Sequence, residues 1–286
     1  MRDFFVPRDM LLCGSQSATP TDFSVRGFPA GQGEASATLT VTASAVADPL
    51  WTPAEITTAQ WLDFDDDAAR IVDSGLFTQV NDKSGNSRNA TASGAVRPTL
   101  YTDANGRDWA AFDGVDDYMS ISVPQVAGSS IFAVVDTTNL QTGYRALFER
   151  TTSGPPHAPN AYLGSGPGYD YRPGIFWGYN FPLYYSLTVS TQAIFEFLFS
   201  SGSVGVTLNG GNNAIASSAY SNVTTWIQIN SNSTQRSKCK IGEYIIINSE
   251  VDATTRQKIE GYLAHKWGLT ASLPIDHPYK SAPPTI

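Results

Sequence analysis

The chain has 286 residues and a mass of 30.8 kDa, with 41% apolar and only 15% charged residues. Globular domains usually carry about 25% charged residues, so we expect hydroxyl groups to supply much of the surface polarity. The 14 Phe, 13 Tyr and 6 Trp residues exclude wholesale disorder, because disordered chains are poor in aromatic side chains. The net charge of −8 argues against nucleic-acid partners and anionic membranes, which require a basic surface.

The first residues lack the pattern of a secretion signal. Asp3 and Pro7 flank the short apolar stretch Phe4–Val6, so no continuous apolar region forms. No segment approaches the roughly 20 apolar residues of a membrane-spanning helix, and we expect no membrane insertion. Cys13 and Cys239 are far apart in the sequence, and we expect two free thiols, since a chain of this size does not need a disulfide.

Residues 1–47 differ from the remainder and predict an extended N-terminal arm. Gly14–Gly33 is rich in Ser, Thr, Gly and Pro, a composition typical of loops. Thr38–Thr42 alternates hydroxyl and apolar side chains, which predicts a short strand. A segment of this size cannot form its own core. We therefore expect it to pair with the main domain (residues 48–286), with a neighbouring subunit or with a larger assembly.

From Trp51 onward the sequence predicts an all-β domain. Short segments rich in β-branched and aromatic residues are separated by Gly, Asn, Ser and Pro clusters, as strands joined by turns would be. These segments are Ile131–Val135, Tyr144–Phe148, Gly174–Tyr179, Ile194–Phe199, Val204–Leu208, Trp226–Ile229 and Ile241–Ile247. In the fourth, alternation places Phe195, Phe197 and Phe199 on one face. Asn209–Gly211 predicts a hairpin turn, because Asn and Gly tolerate positive φ.

One amphipathic helix is predicted near the C-terminus, over Thr255–Trp267. Ile259, Leu263 and Trp267 recur every four residues and form one apolar stripe. Asp252 is placed to cap the first amides, and Gly268 to end the helix in a left-handed conformation. The whole pattern predicts an all-β, two-sheet antiparallel sandwich with this helix packed against a sheet.

Three segments in this order and spacing carry a family resemblance. They are Val80-Asn-Asp-Lys-Ser-Gly-Asn86, Phe112-Asp-Gly-Val-Asp-Asp-Tyr-Met119, and the helix Arg256–Leu269 followed by Leu273-Pro274 and His277-Pro278-Tyr279. Together they resemble the LamG-like jelly-roll domains of the concanavalin A-like lectin/glucanase superfamily, as found in bacteriophage virion proteins and bacterial surface proteins. The resemblance spans Trp51 to Lys280. It implies a jelly-roll sandwich that holds sugars or partner proteins.

The acidic residues do not form a recognisable catalytic pattern. Glucanases of the resembled superfamily place their acids in a Glu-x-Asp-x-x-Glu strand, and no such strand occurs here. Glu196 is flanked by Phe195 and Phe197, and Glu243 has no acidic partner two residues on. Neither a zinc-binding His-Glu-x-x-His nor a Gly-x-Ser-x-Gly motif is present. We therefore expect that the protein is not an enzyme.

Clustered aspartates make calcium a candidate ligand. Asp113, Asp116 and Asp117 form one group, and the run 63–67 contains four more aspartates. Calcium takes 6–8 oxygen ligands, which aspartates in turns can provide. The alternative interpretation is structural: Asp113 makes a turn with Gly114, and the run 63–67 is a solvated strand end or a helix cap.

The stretch from Tyr162 to Tyr185 is the best sequence candidate for a ligand site. Sugar rings bind through their apolar faces to aromatic rings, with nearby polar groups bonding the hydroxyls. The candidate residues are Tyr169, Tyr171, Arg172, Trp177, Tyr179 and Asn180. Two other interpretations stay open: a protein interface, where Tyr is enriched, and simple core packing.

These features together predict a non-enzymatic bacteriophage virion structural protein, either a head decoration or a tail or fibre component. Residues 1–47 would attach it to other virion proteins, within an oligomer or a large assembly, and the jelly roll would face a host glycan. Release by lysis would explain the missing export signal. One alternative is a carbohydrate-binding module on the bacterial cell surface. Another is a polysaccharide-degrading enzyme, which the missing paired-acid strand disfavours.

Overall fold

A computed structural model describes residues 48–125, 128–140, 143–150, 160–166, 169–177, 180–184, 192–200, 203–211, 214–217, 224–230 and 236–286, together with 23–24 and 38–39. For part of the strands between residues 125 and 228, only the backbone is described. The chain divides into two compact units, Met1–Asp48 and Pro49–Ile286. In the first, β1 (Phe23–Ser24) pairs antiparallel with β2 (Thr38–Leu39). The rest of the predicted arm lies outside the described residues.

Among the residues that the structure describes, the second unit consists of short strands and one α-helix. The strands are β3 (Gln60–Asp63), β4 (Arg70–Asp73), β5 (Leu76–Val80), β6 (Ala90–Thr91), β7 (Thr99–Thr102), β8 (Asp108–Asp113), β9 (Met119–Gln125), β10 (Ser129–Asp136), β11 (Gly143–Arg150), β12 (Asn160–Gly166), β13 (Tyr169–Trp177), β14 (Asn180–Tyr184), β15 (Gln192–Ser200), β16 (Ser203–Leu208), β17 (Ala214–Ser217), β18 (Thr224–Ile229) and β19 (Lys238–Ile247). The helix α1 spans Ala253–Trp267. Within the described residues, no helix is long and apolar enough to cross a membrane.

These strands form a continuous antiparallel sheet that curls into two facing layers. In the first layer, β10 pairs with β15 on one side and β19 on the other, and β19 also pairs with β3 and β8. In the second layer, β9 pairs with β18, β18 with β11, and β11 with β12, followed by β13 and β14. Strands β5, β6 and β7 join the two layers at one edge. The predicted antiparallel sandwich is confirmed.

The main core lies between the two layers. Phe195, Phe197 and Phe199 of β15 all face it, as their alternation predicts. From the second layer, the ring of Phe148 packs edge-on against Phe197 at 6.4 Å between centroids and stacks on Tyr244 of β19 at 4.3 Å. Because β11 pairs with β12 and β18 of its own layer, these ring contacts hold the two layers together.

Cys239 of β19 lies in this core as a free thiol, with an exposed fraction of only 3%. Burial raises the pKa of its thiol well above the ordinary value, because the thiolate would lose its hydration. The prediction of a free thiol is confirmed for Cys239. Cys13 lies outside the described residues.

The predicted helix forms with the predicted ends. The carboxylate of Asp252 accepts a hydrogen bond from the backbone N–H of Thr255 at 2.8 Å and caps the N-terminus. Gly268 ends the helix with φ of +69°, a conformation that glycine adopts without a steric penalty. Three buried residues of α1 form the predicted stripe: Ile259, Leu263 and Trp267.

A second core lies between α1 and the outer face of the first layer. Trp267 packs its ring against Trp109 of β8 at 4.5 Å between centroids. Val134 of β10 and Ile245 of β19 belong to the same buried cluster. The second unit therefore has three layers, in the order helix, first sheet layer and second sheet layer.

A β-bulge in β19 reverses the direction of its side chains. Val135 pairs with Ile241, but the preceding Val134 pairs with Glu243, so Gly242 is the extra residue. Ile241 faces the main core, and the bulge turns Glu243 toward the helix instead. Gly242 also lies directly under Trp267, whose ring atoms come within 2.4 Å of where a Cβ would stand. No other residue fits there without moving the helix.

Replacing Gly242 with alanine tests this close approach. We expect Gly242→Ala to lower the free energy of unfolding by about 1–3 kcal/mol, because the added methyl group overlaps the Trp267 ring. Urea denaturation followed by circular dichroism measures the loss. The same substitution in a Trp267→Phe background should cost less, since the smaller ring leaves room. Strictly additive losses in the double variant would contradict the proposed clash.

Candidate functional site

Glu243 is a fully buried acidic residue facing the helix. Its Oε1 accepts hydrogen bonds from Nε1 of Trp61 at 2.7 Å and from the hydroxyl of Tyr262 at 2.9 Å. Its Oε2 accepts from Nε1 of Trp267 at 2.9 Å and lies 2.8 Å from Nζ of Lys266. Tryptophan and lysine side chains only donate, and these donors stabilise the ionised carboxylate against burial and the nearby Asp63, which raise the pKa of Glu243.

A series of alternating charges extends from Glu243. Nζ of Lys266 also lies 2.6 Å from Oδ1 of Asp63, so two buried carboxylates share one ammonium group. The other oxygen of Asp63 lies 2.9 Å from Nζ of Lys83, which in turn reaches Asp66 at 2.6 Å. We call Glu243, Lys266, Asp63, Lys83 and Asp66 the charge chain.

Electrostatics keeps the two lysines of the charge chain protonated. Burial alone would lower the pKa of Lys266, but the attraction of Glu243 and Asp63 outweighs it and the pKa is raised. Burial would also lower the pKa of Lys83, but the attraction of Asp63 and Asp66 outweighs it and the pKa is raised. Its Nζ also lies 4.5 Å from the centroid of the Trp61 ring, a favourable cation–π position. Both lysines therefore remain charged at neutral pH.

Local structure places these charges. Asp63 and Glu243 are paired residues of neighbouring strands, so their side chains lie on the same face. The turn after β5 carries Lys83, and the carboxylate of Asp82 holds that turn. Asp82 accepts a hydrogen bond from the backbone of Trp61 at 2.9 Å and from two amides of its own turn. The Asp-Lys-Ser motif thus fixes the turn that places Lys83 beside the sheet.

The charge chain extends one sequence interpretation and corrects another. Glu243 has no acidic partner in its own strand, as the sequence shows, but Asp63 of the adjacent strand is paired with it. A solvated strand end is the wrong description for Asp63, whose exposed fraction is 3%. Every oxygen of Glu243 and Asp63 already contacts a donor group. These carboxylates hold the fold together and are not placed to exchange protons with a substrate.

A second candidate site is a partly open surface of the first layer where β7, β8, β10 and β19 meet. We call it the Tyr101 face, and it consists of Tyr101, Asp136, Asn139, Lys238 and Lys240. The exposed fraction of Tyr101 is 43%. Nζ of Lys240 lies 4.4 Å from the Tyr101 ring centroid and 2.8 Å from Oδ2 of Asp136. The four polar residues line a cavity of about 70 Å³ with Ala111 and two core residues behind them.

The residues predicted from the aromatic stretch fall in one β-meander. Tyr169, Tyr171, Arg172 and Trp177 belong to β13, and Asn180 opens β14, where it pairs with Trp177. For these residues the backbone alone is described, and Tyr179 lies outside the described residues. Their role in binding a ligand stays a prediction.

The predicted calcium ligands form a compact turn. One carboxylate oxygen each of Asp113, Asp116 and Asp117 lies within 4.8 Å of the others. Oδ1 of Asp113 accepts backbone hydrogen bonds from Val115 at 2.7 Å and Asp116 at 3.2 Å, and Oδ2 of Asp117 accepts from the backbone of Asp113 at 2.9 Å. These bonds close the Asp-Gly turn. Calcium binding stays a prediction.

The fold resembles parts of solved carbohydrate-active proteins. A Trypanosoma rangeli sialidase is 12% identical, with a TM-score of 0.51 over 78% of this chain and 37% of the sialidase. An α-L-arabinofuranosidase is 13% identical, with a TM-score of 0.46 over 65% of this chain and 50% of its own. Domain 4 of an extracellular arabinanase from Geobacillus stearothermophilus, solved with arabinotriose, is 15% identical, with a TM-score of 0.48 over 66% of this chain and 91% of the domain. No family model and no curated protein matches the sequence.

The comparison of folds contradicts the prediction of a non-enzymatic bacteriophage virion structural protein. The likeness that carries this correction is to a sialidase, at a TM-score of 0.51, and not to a virion protein. The expectation that the protein is not an enzyme is contradicted by the same likeness. At 12% identity, the sialidase comparison establishes the shared fold. The error has a physical origin: the quoted motifs specify the jelly roll, and one fold serves capsids, lectins and enzymes alike.

Removing the ammonium group of Lys266 should destabilise the fold, because the two carboxylates that share it remain buried. We expect Lys266→Met to lower the free energy of unfolding by about 3–5 kcal/mol, because Glu243 and Asp63 lose their common counter-ion while they stay buried. Lys258→Met, on the same helix, is the matched control, since no ion pair involves Lys258 among the described residues. Equal losses for both variants in urea denaturation would refute the role of Lys266.

Proposed function

We propose that the unit Pro49–Ile286 is a glycan-binding jelly roll that belongs to a carbohydrate-active protein. The Tyr101 face carries this proposal, because it combines an exposed aromatic ring with charged and amide groups around a cavity. Glycan recognition uses this combination: the ring contacts the apolar face of a sugar, and the polar groups bond its hydroxyls. The likeness in fold to a sialidase supports the proposal that this protein binds carbohydrate.

The dimensions of the face indicate how a sugar would lie. A volume of about 70 Å³ holds about two water molecules at roughly 30 Å³ each. It is therefore suited to one ring substituent, such as a hydroxymethyl or an acetamido group. The pyranose ring itself would rest outside, over Tyr101. Lys238 and Asn139, whose side chains are exposed, would donate hydrogen bonds to its hydroxyls.

The Tyr101 face is held in shape before any ligand arrives. Lys240 is fixed between the Tyr101 ring and Asp136, whose carboxylate also accepts a hydrogen bond from the backbone of Thr138 at 2.9 Å. Burial favours the neutral form of Asp136, yet the hydrogen bonds from Lys240 and Thr138 outweigh it and lower the pKa. The carboxylate is therefore ionised at neutral pH and keeps Lys240 in position. Little side-chain entropy remains to be lost on binding.

The predicted residues of β13 and β14 form a second candidate contact area within the same proposal. Trp177 of β13 and Asn180 of β14 are paired residues in the backbone register. A glycan longer than a disaccharide extends over several strands, and an aromatic-rich meander would add contact area to the Tyr101 face. A LamG-like module on a bacterial cell surface is the setting we propose for this binding.

A glycan array followed by isothermal titration tests the proposal. We expect a glycan ligand for the wild-type chain and at least a tenfold weaker Kd for Tyr101→Ala, because the stacking ring is lost while the fold is kept at a partly exposed position. Ile275→Ala, at a side chain with 89% exposure, is the control and should bind normally.

Two further outcomes are decisive. If Trp177→Ala abolishes binding and Tyr101→Ala leaves it intact, the site lies on the β13–β14 meander and the Tyr101 face is refuted. Reducing ends released from the bound polymer would assign cleavage in addition to binding. An array without any ligand, with correctly folded protein, would refute the glycan-binding proposal.

A further inference from the structure

Two glutamates are buried together beneath the N-terminal half of α1. Glu196 projects from β15 toward the helix with an exposed fraction of 5%, and Glu260 projects from α1 toward the sheet with 1%. Nη1 of Arg256 lies 4.0 Å from Oε2 of Glu196, and its Nε lies 3.8 Å from Oε1 of Glu260. One guanidinium therefore faces two buried carboxyl groups, at distances longer than a hydrogen bond.

These two oxygens lack the donors that buried carboxylates need. Neither Oε2 of Glu196 nor Oε1 of Glu260 has a hydrogen-bond partner within the described part of the chain. Thr207 on β16 forms a side-chain hydrogen bond with Glu196. An ionised carboxylate in such surroundings pays a large desolvation cost, whereas a protonated one pays a much smaller cost. The contrast with Glu243, where donors fill both oxygens, is direct.

The C-terminal segment completes the cluster through His277. Nδ1 of His277 accepts a hydrogen bond from the backbone N–H of Tyr279 at 3.2 Å, so in the neutral ring the proton sits on Nε2. That nitrogen lies 3.1 Å from Oε2 of Glu260 and donates to it. A proton on Nδ1 as well would break the contact to Tyr279. The arrangement thus requires a neutral histidine beside the carboxyl group.

Electrostatics acts in the same direction as the geometry. Burial raises the pKa of Glu260 to about 8, with repulsion from Glu196 adding to the effect. Burial also raises the pKa of Glu196 to about 7, against the pull of Arg256. The pKa of His277 is lowered by burial and by Arg256, although the nearby Asp276 opposes this.

We propose that the Glu196–Glu260 pair is a proton-dependent latch, which holds α1 and the C-terminal segment on the sheet in neutral solution and releases them in alkaline solution. Protonated glutamates lie at the interface without a charge of their own. If one of the two is ionised, the guanidinium of Arg256 balances its negative charge. When both lose their protons, two carboxylates face one guanidinium in a dry interface. Detaching the helix restores their hydration. This latch is independent of glycan binding.

The sign of the pH dependence follows from linkage. A carboxyl group whose folded pKa is raised contributes stability below its unfolded pKa of 4.5, and that contribution is lost as the pH rises through the folded pKa. His277 acts oppositely, since its lowered pKa costs stability as the pH falls below 6.5. The aspartates with lowered pKa values have finished titrating by about pH 5. The interval from pH 7 to 9 therefore reports on the buried glutamates beneath α1, and the comparison with Glu260→Gln separates the pair from Glu243, whose pKa burial also raises.

Hydrogen exchange of the full chain measures the latch. At pH 7, 8 and 9, with intrinsic exchange rates corrected, we expect the opening constant of α1 to rise about tenfold in the wild-type chain. Glu260→Gln, which imitates the protonated side chain, should reduce this rise to about threefold or less. Glu250→Gln, at an exposed acidic residue, is the matched control and should behave like the wild type.

Each other outcome would overturn the proposal. An equal rise in Glu260→Gln would assign the pH dependence to another group. Loss of protection in β10 and β19 in step with α1 would show global unfolding instead of a latch. If Glu260→Gln does not fold at pH 7, Glu196→Gln provides the same comparison, and an unchanged tenfold rise in that variant would refute the role of the pair.

Discussion

The position of α1 depends on one ammonium group that two buried carboxylates share. Lys266 reaches Asp63 on β3 and Glu243 on β19 at once, so the helix is fixed relative to two strands rather than one. Sliding α1 by one turn, about 5.4 Å, would leave both carboxylates buried without a cation. Burying three charges is costly, and its benefit is therefore a unique docking position more than a gain in free energy.

The two halves of α1 are held by different chemistry. The C-terminal half carries Lys266 and Trp267, which complete a set of donors around both oxygens of Glu243. The N-terminal half carries Arg256 and Glu260, which face a second carboxyl group without enough donors. One end of the helix is therefore held by a carboxyl group with a full set of donors, and the other by carboxyl groups that lack them. Gly242 makes the first arrangement possible, because its bulge turns Glu243 outward and its missing side chain admits Trp267.

Local patterns in the sequence predicted most of the fold. The helix and its caps depend on neighbouring residues, and alternation placed Phe195 correctly, because both signals act over a few positions. The charge chain was not predicted, since Asp63 and Glu243 are far apart in the sequence and only the strand pairing brings them together. One signal was available: Lys266 lies between Leu263 and Trp267 on the apolar side, where a lysine requires a buried partner. The Tyr101 face had no local signal, because four strands distant in sequence build it.

The buried thiol of Cys239 gives a chemical measure of how often the surrounding structure opens. With an exposed fraction of 3%, this thiol reacts with a reagent only when the sandwich or the adjoining cavity opens, and its raised pKa slows the reaction further. The labelling rate of Cys239 therefore reports how often the structure around it opens. Since Cys239 also borders the cavity of the Tyr101 face, a ligand bound there should lower the labelling rate of Cys239.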